Sequence, residues 1–391
     1  MQCWPFMKAL VFHAPKKISV DNVPDPRLEA TTDALIRVTS TSICGSDLHI
    51  YNGFFPQRQP LVMGHEFMGV VLEVGKDVKA LKPGDRVVVP FCIACGRCWF
   101  CEHDLTPHCE TTNRANYGPE GGLLTQKGGG LFGYTDMYGG YPGGQAQYVR
   151  VPFADFGPRK VPENLTDEQV LFLSDIFPTG YLAVDWAKPK DGDCVVVLGC
   201  GPVGIMAMKS AWLRGAGRVI GVDREGYRLQ RASEAAKAEV LNLDVDDVAE
   251  VVRDMTGGRG ADVVIDAVGL EAHRTPLQKL SNVMHLQAGS MDAVRTAIRT
   301  VRRGGTISIV GVYGAPYDNF PLGQLFDKGI GLKMGQAPVH AVIDRLLEYV
   351  IDGRVKLDDV ISHRMPLEDG AKAYELFNRK SDDCVKVVLR P

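Results

Sequence analysis

The sequence predicts an α/β protein of two domains, one β-rich and one built on a doubly wound parallel sheet. Three observations carry that expectation. A chain of 391 residues is longer than one ordinary core fills. Short β-rich runs broken by Gly, Pro and Asp occupy residues 7 to about 90. From Cys194 onward, strand-like and helix-like patterns alternate, as parallel strands joined by helical crossovers require.

Composition narrows the function classes. Hydrophobic residues make up 45% and charged residues 23%, the balance of a soluble globular protein. A formal net charge of -3 gives no electrostatic reason to expect nucleic acid or an anionic membrane as partner. No apolar run is long enough to span a bilayer, and the first six residues lack the charged and apolar regions of a secretory signal. A cytoplasmic location is therefore expected. Of ten cysteines, Cys92, Cys95, Cys98, Cys101 and Cys109 crowd into eighteen residues; in a cytosolic chain such a cluster points to metal rather than disulfides.

In the first domain, residues 7–12, 34–38, 69–74 and 86–89 read as strands of an antiparallel barrel or sandwich, with the turn Lys82-Pro83-Gly84-Asp85 between the last two. The stretch Cys44-Gly45-Ser46-Asp47-Leu48-His49, followed by Gly64-His65-Glu66, mixes thiol, imidazole and carboxylate donors in a way suited to Zn(II). Next, Cys95-x2-Cys98-x2-Cys101-x7-Cys109 offers four thiolates that can close tetrahedrally on one structural Zn(II). Cys92 is the odd one out, or a substitute in register; the competing reading is a set of buried or redox-active cysteines. Residues 111–144 form a Gly-rich loop with Tyr117, Phe132, Tyr134, Tyr138 and Tyr141 interleaved. It reads as a cleft wall on the substrate side or as a variable surface loop. Strand character resumes at 145–151, Thr166-x-x-Gln169 makes a capping box for a helix ending near Ser174-Asp175, and another helix opens at Pro178.

The run Cys194-Val195-Val196-Val197-Leu198 is apolar throughout, as in a strand buried on both faces. It leads into Gly199-Cys200-Gly201-Pro202-Val203-Gly204 and a helical pattern through Arg214. This strand-turn-helix setting is that of a Rossmann dinucleotide site, in which glycines admit a pyrophosphate to the helix N-terminus. The next strand, 218–222, ends in Asp223, 24 residues after Gly199. A carboxylate there accepts hydrogen bonds from the adenosine ribose and repels a 2'-phosphate, so NAD is expected over NADP, with Arg224 able to soften the preference. Further βα units occupy 261–269 and 305–312. The segment 270–303 is longer than a usual crossover; it carries Pro276 and two histidines without an assigned role, His273 and His285, and a helix at 291–301. After residue 316 the pattern is irregular, with a helix at 339–351 and a last strand at 385–389 that returns to the first domain. The expected boundaries are 7–176 with a metal lobe at 92–110, then 177–316, then 317–391.

Gly64-His65-Glu66, Gly84-Asp85-Arg86-Val87, the cysteine lobe and the Gly199 turn together resemble, in that order, the zinc-dependent medium-chain alcohol dehydrogenases across residues 7–391. Cys44-Gly45-Ser46-Asp47-Leu48-His49 and Leu173-Ser174-Asp175-Ile176-Phe177-Pro178-Thr179-Gly180-Tyr181 are most similar to the branch containing glutathione-independent formaldehyde dehydrogenase. The resemblance implies a GroES-like catalytic domain beside the Rossmann domain and two Zn(II) per chain. The catalytic zinc would be held by Cys44, His65 and Asp175, the last standing where liver-type members have a cysteine, with Glu66 beside the metal as a transient ligand. The bland alternative leaves Asp175 a helix-end carboxylate.

Such a zinc keeps a fourth position for an alcohol or water oxygen. A proton would leave through Ser46, the cofactor ribose and His49; alternatively, Ser46 and Asp47 cap a helix and His49 is a surface residue. Asp47 reads as structural, and Thr179 packs near the nicotinamide. The same resemblance places Gly199, Gly201, Pro202, Val203, Gly204, Asp223, Arg224, Arg228, Val268 and Val312 in the cofactor site. The function implied is hydride transfer between NAD and a small alcohol or hydrated aldehyde, by a homodimer or homotetramer. A polyol or secondary-alcohol dehydrogenase and a non-catalytic nucleotide-binding protein are the alternatives. Segment 270–303 does not repeat the formaldehyde branch's pattern, so tight cofactor retention is not carried over.

Overall fold

In a computed structural model, which describes residues 6–55, 57–58, 60–113, 128–269, 291–313 and 320–391, the apolar run before the Gly199 turn is the strand Cys194–Leu198, buried at every residue. It is central to a six-stranded sheet in the order Glu239–Asn242, Arg218–Asp223, Cys194–Leu198, Ala261–Asp266, Val301–Ile309, Gly331–Met334. Every pairing in it is parallel. The strand order therefore reverses between Cys194–Leu198 and Ala261–Asp266, and the carboxyl ends beside that reversal are where a doubly wound sheet receives its ligand. The helix Pro202–Leu213 begins with Pro202 in its first turn. A Cβ on Gly204 would lie 1.8 Å from the Gly199 carbonyl oxygen, so only glycine lets the helix start this close to the strand end.

The chain divides into two compact units: one reaches Pro178 and resumes at Pro338, and the other is Thr179–Ala337. The boundary expected after residue 316 is thus corrected to Ala337. The helix Leu322–Lys328 and the strand Gly331–Met334 add a sixth strand to the parallel sheet. That strand is exposed at all four residues and shows no alternation, so its sequence carries no strand signal. The helix expected at 291–301 is Asp292–Thr300. Tyr117, His273, Pro276 and His285 lie outside the described residues.

In the first unit the strands expected from the β-rich runs enter a sheet in the order Arg159–Lys160, Arg86–Val89, Glu66–Val74, Ala34–Ile43, then Val387–Arg390 and His363–Pro366, with Tyr148–Val151 also on Ala34–Ile43; its pairings are antiparallel except the last, which is parallel. A second sheet joins Lys17–Pro24, Phe6–Ala14 and Leu61–Val62. The C-terminal return is antiparallel to Ala34–Ile43, with Val387 opposite Ile43. The capping box is formed: Gln169 Oε1 accepts the Thr166 N–H at 2.8 Å. Its helix, Asp167–Val170, passes into the 3-10 turn Leu171–Ser174, and the next helix, Ile176–Ala187, starts two residues before Pro178. Among the described residues no helix is long and apolar enough to cross a membrane.

Instead of one helix at 339–351, a 3-10 turn Val339–Ala341 precedes the helix Ile343–Ile351. The turn buries His340, which stacks on Phe156 at 5.0 Å and brings Nδ1 within 3.2 Å of Thr106 Oγ1 and 3.6 Å of Cys92 Sγ. Burial, helped by Arg159, pushes the imidazole down to about 3. Between pH 6.5 and about 3 the unfolded chain therefore binds a proton at His340 that the folded chain refuses, and stability falls as pH falls through that window. Relative to His340→Phe, the parent chain is expected to lose up to about 1.4 kcal/mol more per pH unit below pH 6, measured by urea denaturation of both.

Candidate metal and cofactor sites

The strand Ala34–Ile43 delivers Cys44 as the N-cap of the helix Gly45–Tyr51. His65 immediately precedes and Glu66 opens the neighbouring strand Glu66–Val74, and Asp175 follows the turn Leu171–Ser174. One ligand atom from each of Cys44, His65, Glu66 and Asp175 lies within 4.8 Å of all the others, and all four residues are buried. Asp175 Oδ2 is 3.2 Å from His65 Nε2 and 3.4 Å from Cys44 Sγ. Burial pushes the Cys44 thiol up, and the carboxylates of Glu66 and Asp175 add to the shift.

Further side chains hold this cluster. Asp47 Oδ1 faces His65 Nδ1 at 3.0 Å, while its Oδ2 accepts the Cys44 N–H at 2.9 Å. Burial works against a charged His65, but Asp47 and Asp175 hold its pKa well above the usual imidazole value. The N-cap is thus Cys44 rather than Ser46 or Asp47, and Asp47 completes the capping box from the third helical position. Gln145 Nε2 donates to the Ser42 carbonyl at 3.0 Å, and Gln145 Oε1 accepts the Tyr374 hydroxyl at 2.9 Å.

Lys386 is the residue that sequence reading missed. Its Nζ, fully buried, donates to Glu66 Oε2 at 2.5 Å and to the Ile43 carbonyl at 3.0 Å, and Ser42 Oγ donates to the same Glu66 oxygen. Glu66 Oε1 has no hydrogen-bond partner among the described residues. A lysine inside the otherwise apolar run Val385-Lys386-Val387-Val388-Leu389 was the available signal.

Ser46 Oγ lies 3.4 Å from Cys44 Sγ. His49, on the same helix, is 4% exposed, which corrects the alternative of a surface histidine. Its Nδ1 is 3.4 Å from the Tyr134 hydroxyl, and the Tyr134 ring stands edge-on to His65 at 6.3 Å. The Gly-rich loop therefore does reach this cluster, through a residue the sequence grouped only with its aromatics. Thr179 belongs to the second unit.

The sulfur atoms of Cys95, Cys98, Cys101 and Cys109 also gather within 4.8 Å of one another. The Cys95–Cys101, Cys98–Cys101 and Cys98–Cys109 separations are 3.9, 3.5 and 3.9 Å. A tetrahedral zinc with about 2.3 Å Zn–S bonds needs sulfurs about 3.8 Å apart, whereas a disulfide needs about 2.05 Å. Cys92 stands outside this set, against His340, with burial pushing its thiol up to about 12.

In the second unit, Asp223 Oδ2 accepts the Cys200 N–H at 2.8 Å and Oδ1 accepts the Arg224 N–H at 2.7 Å. The Arg224 guanidinium is paired with Asp244 rather than with its neighbour's carboxylate. Arg228 Nη1 stands 3.8 Å from where a Cβ on Gly201 would be, and its Nε donates to the Tyr227 hydroxyl at 3.2 Å. Val268 Cγ2 is 3.0 Å from the corresponding point on Gly199, and Val312 N is 2.4 Å from that on Gly269. The glycine turn, Val268 and Val312 thus share the carboxyl edge of the sheet; Val203 lies in the first turn of the helix Pro202–Leu213.

The chain is similar to known proteins along most of its length. Residues 30–162 match the alcohol dehydrogenase GroES-like domain, and residues 202–283 match the zinc-binding dehydrogenase family. The chain is 46% identical to the zinc-type alcohol dehydrogenase-like protein AdhB of Bacillus subtilis, over 98% of this chain and 100% of that protein. It is 33% identical to the glutathione-independent formaldehyde dehydrogenase of Pseudomonas aeruginosa, over 95% of this chain and 94% of that one. Among solved structures it is similar to the alcohol dehydrogenase TADH from Thermus sp. ATN1, at 37% identity and a TM-score of 0.84, covering 98% of this chain and 99% of the other.

Lys386→Met removes the cation from a fully buried pair and leaves Glu66 with Ser42 alone. It is expected to cost about 3–5 kcal/mol in urea denaturation, and Glu66→Gln in the same chain should recover a large part.

Proposed function

We propose a function from one premise: the chain belongs to the zinc-dependent medium-chain alcohol dehydrogenases. It is an oxidoreductase of that family, and we infer that it transfers a hydride between NAD and a small alcohol or hydrated aldehyde. The observation that carries this reading is the convergence of Cys44, His65 and Asp175, with Glu66 alongside, from three separated stretches of chain. Soft, borderline and hard donors in one buried cluster fit zinc. The four thiols fit a second, closed zinc site by their spacing.

Zinc in the first site supplies a Lewis acid that lowers the pKa of an alcohol hydroxyl toward neutrality, and NAD supplies the hydride acceptor. The remaining work belongs to the chain. Asp47 favours a proton on His65 Nδ1 and so frees Nε2 as a ligand. Lys386 and Ser42 hold Glu66 by one oxygen, so that Oε1 would be the oxygen available to a bound zinc. Ser46 and His49 would take up and pass on the proton released by the substrate's hydroxyl, with Tyr134 orienting the His49 ring. Asp223 and Arg228 address the adenosine ribose. With Arg224 engaged by Asp244, nothing in that pair favours a 2'-phosphate, which supports NAD over NADP. A homodimer or homotetramer is part of the reading.

Metal analysis should give two zincs per chain. Asp175→Ala should keep one and lose at least about 100-fold in kcat/KM; one zinc in the parent, or an active variant, overturns the site. Formaldehyde, primary and secondary alcohols and polyols, assayed by NADH absorbance, decide the substrate class, with small primary alcohols or formaldehyde expected to be fastest. Asp223→Ser should raise KM for NAD about tenfold and lower that for NADP, measured by initial rates.

A further inference from the structure

Asp266 ends the strand Ala261–Asp266 beside the reversal of strand order, and it is fully buried. Among the described residues no cation pairs with it; it is held by hydrogen bonds alone. Oδ1 accepts the N–H of Val268 at 2.9 Å and of Gly269 at 3.3 Å, and Oδ2 accepts the Tyr313 hydroxyl at 2.6 Å. Its main-chain carbonyl accepts the N–H groups of Val310 and Gly311, each at 3.0 Å. One residue therefore fastens two loops, the one leaving its own strand and the one leaving Val301–Ile309. The loops touch backbone to backbone: a Cβ on Gly269 would lie 2.4 Å from Val312 N, and one on Gly311 would lie 2.3 Å from Gly269 N.

Nothing in the chemistry assigned to the metal sites uses this carboxylate. A buried anion that meets only donors is costly to leave unsatisfied, so the two loops cannot separate without exposing it. We propose that Asp266 and Tyr313 are positioning residues for the dinucleotide, locking the 268–269 and 310–313 loops in the one register that presents Val268 and Val312 together at the carboxyl edge of the sheet. Tyr313 is the adjustable half of the lock, because its hydroxyl is the only side-chain donor of the three. The inference rests on the reading that this unit binds NAD.

Tyr313→Phe in the full-length chain tests it, with NADH titrated by fluorescence and KM measured for both substrates. Loosening the register should raise the Kd for NADH and the KM for NAD roughly tenfold, with zinc content and the alcohol KM unchanged. Asp266→Asn, which keeps the shape and removes the charge, should move the same two constants in the same direction. Nucleotide constants within twofold of the parent's in both variants would overturn the proposal, even where the thermal midpoint falls, because a purely structural tie lowers stability without this split. A parent chain that binds no NADH at all would instead remove the reading beneath it.

Discussion

The first unit is organised around one electrostatic constraint: Cys44, Asp47, Glu66 and Asp175 are buried together, and acidic groups taken out of water must each be answered by a partner. Glu66 is answered by Lys386 and Ser42, and Asp47 by the Cys44 N–H and His65. What these contacts leave is a thiol, one imidazole nitrogen and a carboxylate oxygen turned toward each other. Here the Cys44 thiol and the His65 ring meet Asp175 Oδ2 at hydrogen-bond distance, and a divalent cation would take the place of the protons they share. The sheet, the helix cap and the Leu171–Ser174 turn are the means of delivering them to one point.

The second unit meets a related constraint in a different way. Its parallel strands leave loops at the carboxyl edge whose N–H groups are free to point outward. Asp223 gathers the N–H groups of Cys200 and Arg224, and Asp266 those of Val268 and Gly269. Both carboxylates tie loop N–H groups down by hydrogen bonds within the chain, and preorganisation of that kind lowers the entropy lost on binding.

Much of this was legible in the sequence because it is written in short-range patterns. The cysteine spacing, the Gly199 turn, the capping box and the Cys44 to Glu66 stretch each lie within a few turns of chain, where residue type and spacing fix the local geometry. Lys386 was not legible in the same way: it meets Glu66 across 320 residues, and an apolar strand with one lysine reads equally well as an edge strand with its charge in water. Cys92 and His340, 248 residues apart, were hidden for the same reason. The strand Gly331–Met334 failed differently, since an exposed edge needs no hydrophobic alternation to pair its backbone.

The distance between Glu66 and Lys386 also bears on how the site is assembled. The ammonium arrives on the last strand, whose register, Val387 opposite Ile43, sets it against the turn that carries Cys44. Without that strand Glu66 would lack its cation, and an unpaired carboxylate is costly to bury. The segment from Thr179 to Ala337 is synthesised in between, so the first unit closes only after the second has emerged. Non-local pairing of this kind is slow, because loop closure must be made before its contacts repay it. The four clustered side chains all lie before residue 178, so what the final strand adds is the cation that answers Glu66 rather than a ligand.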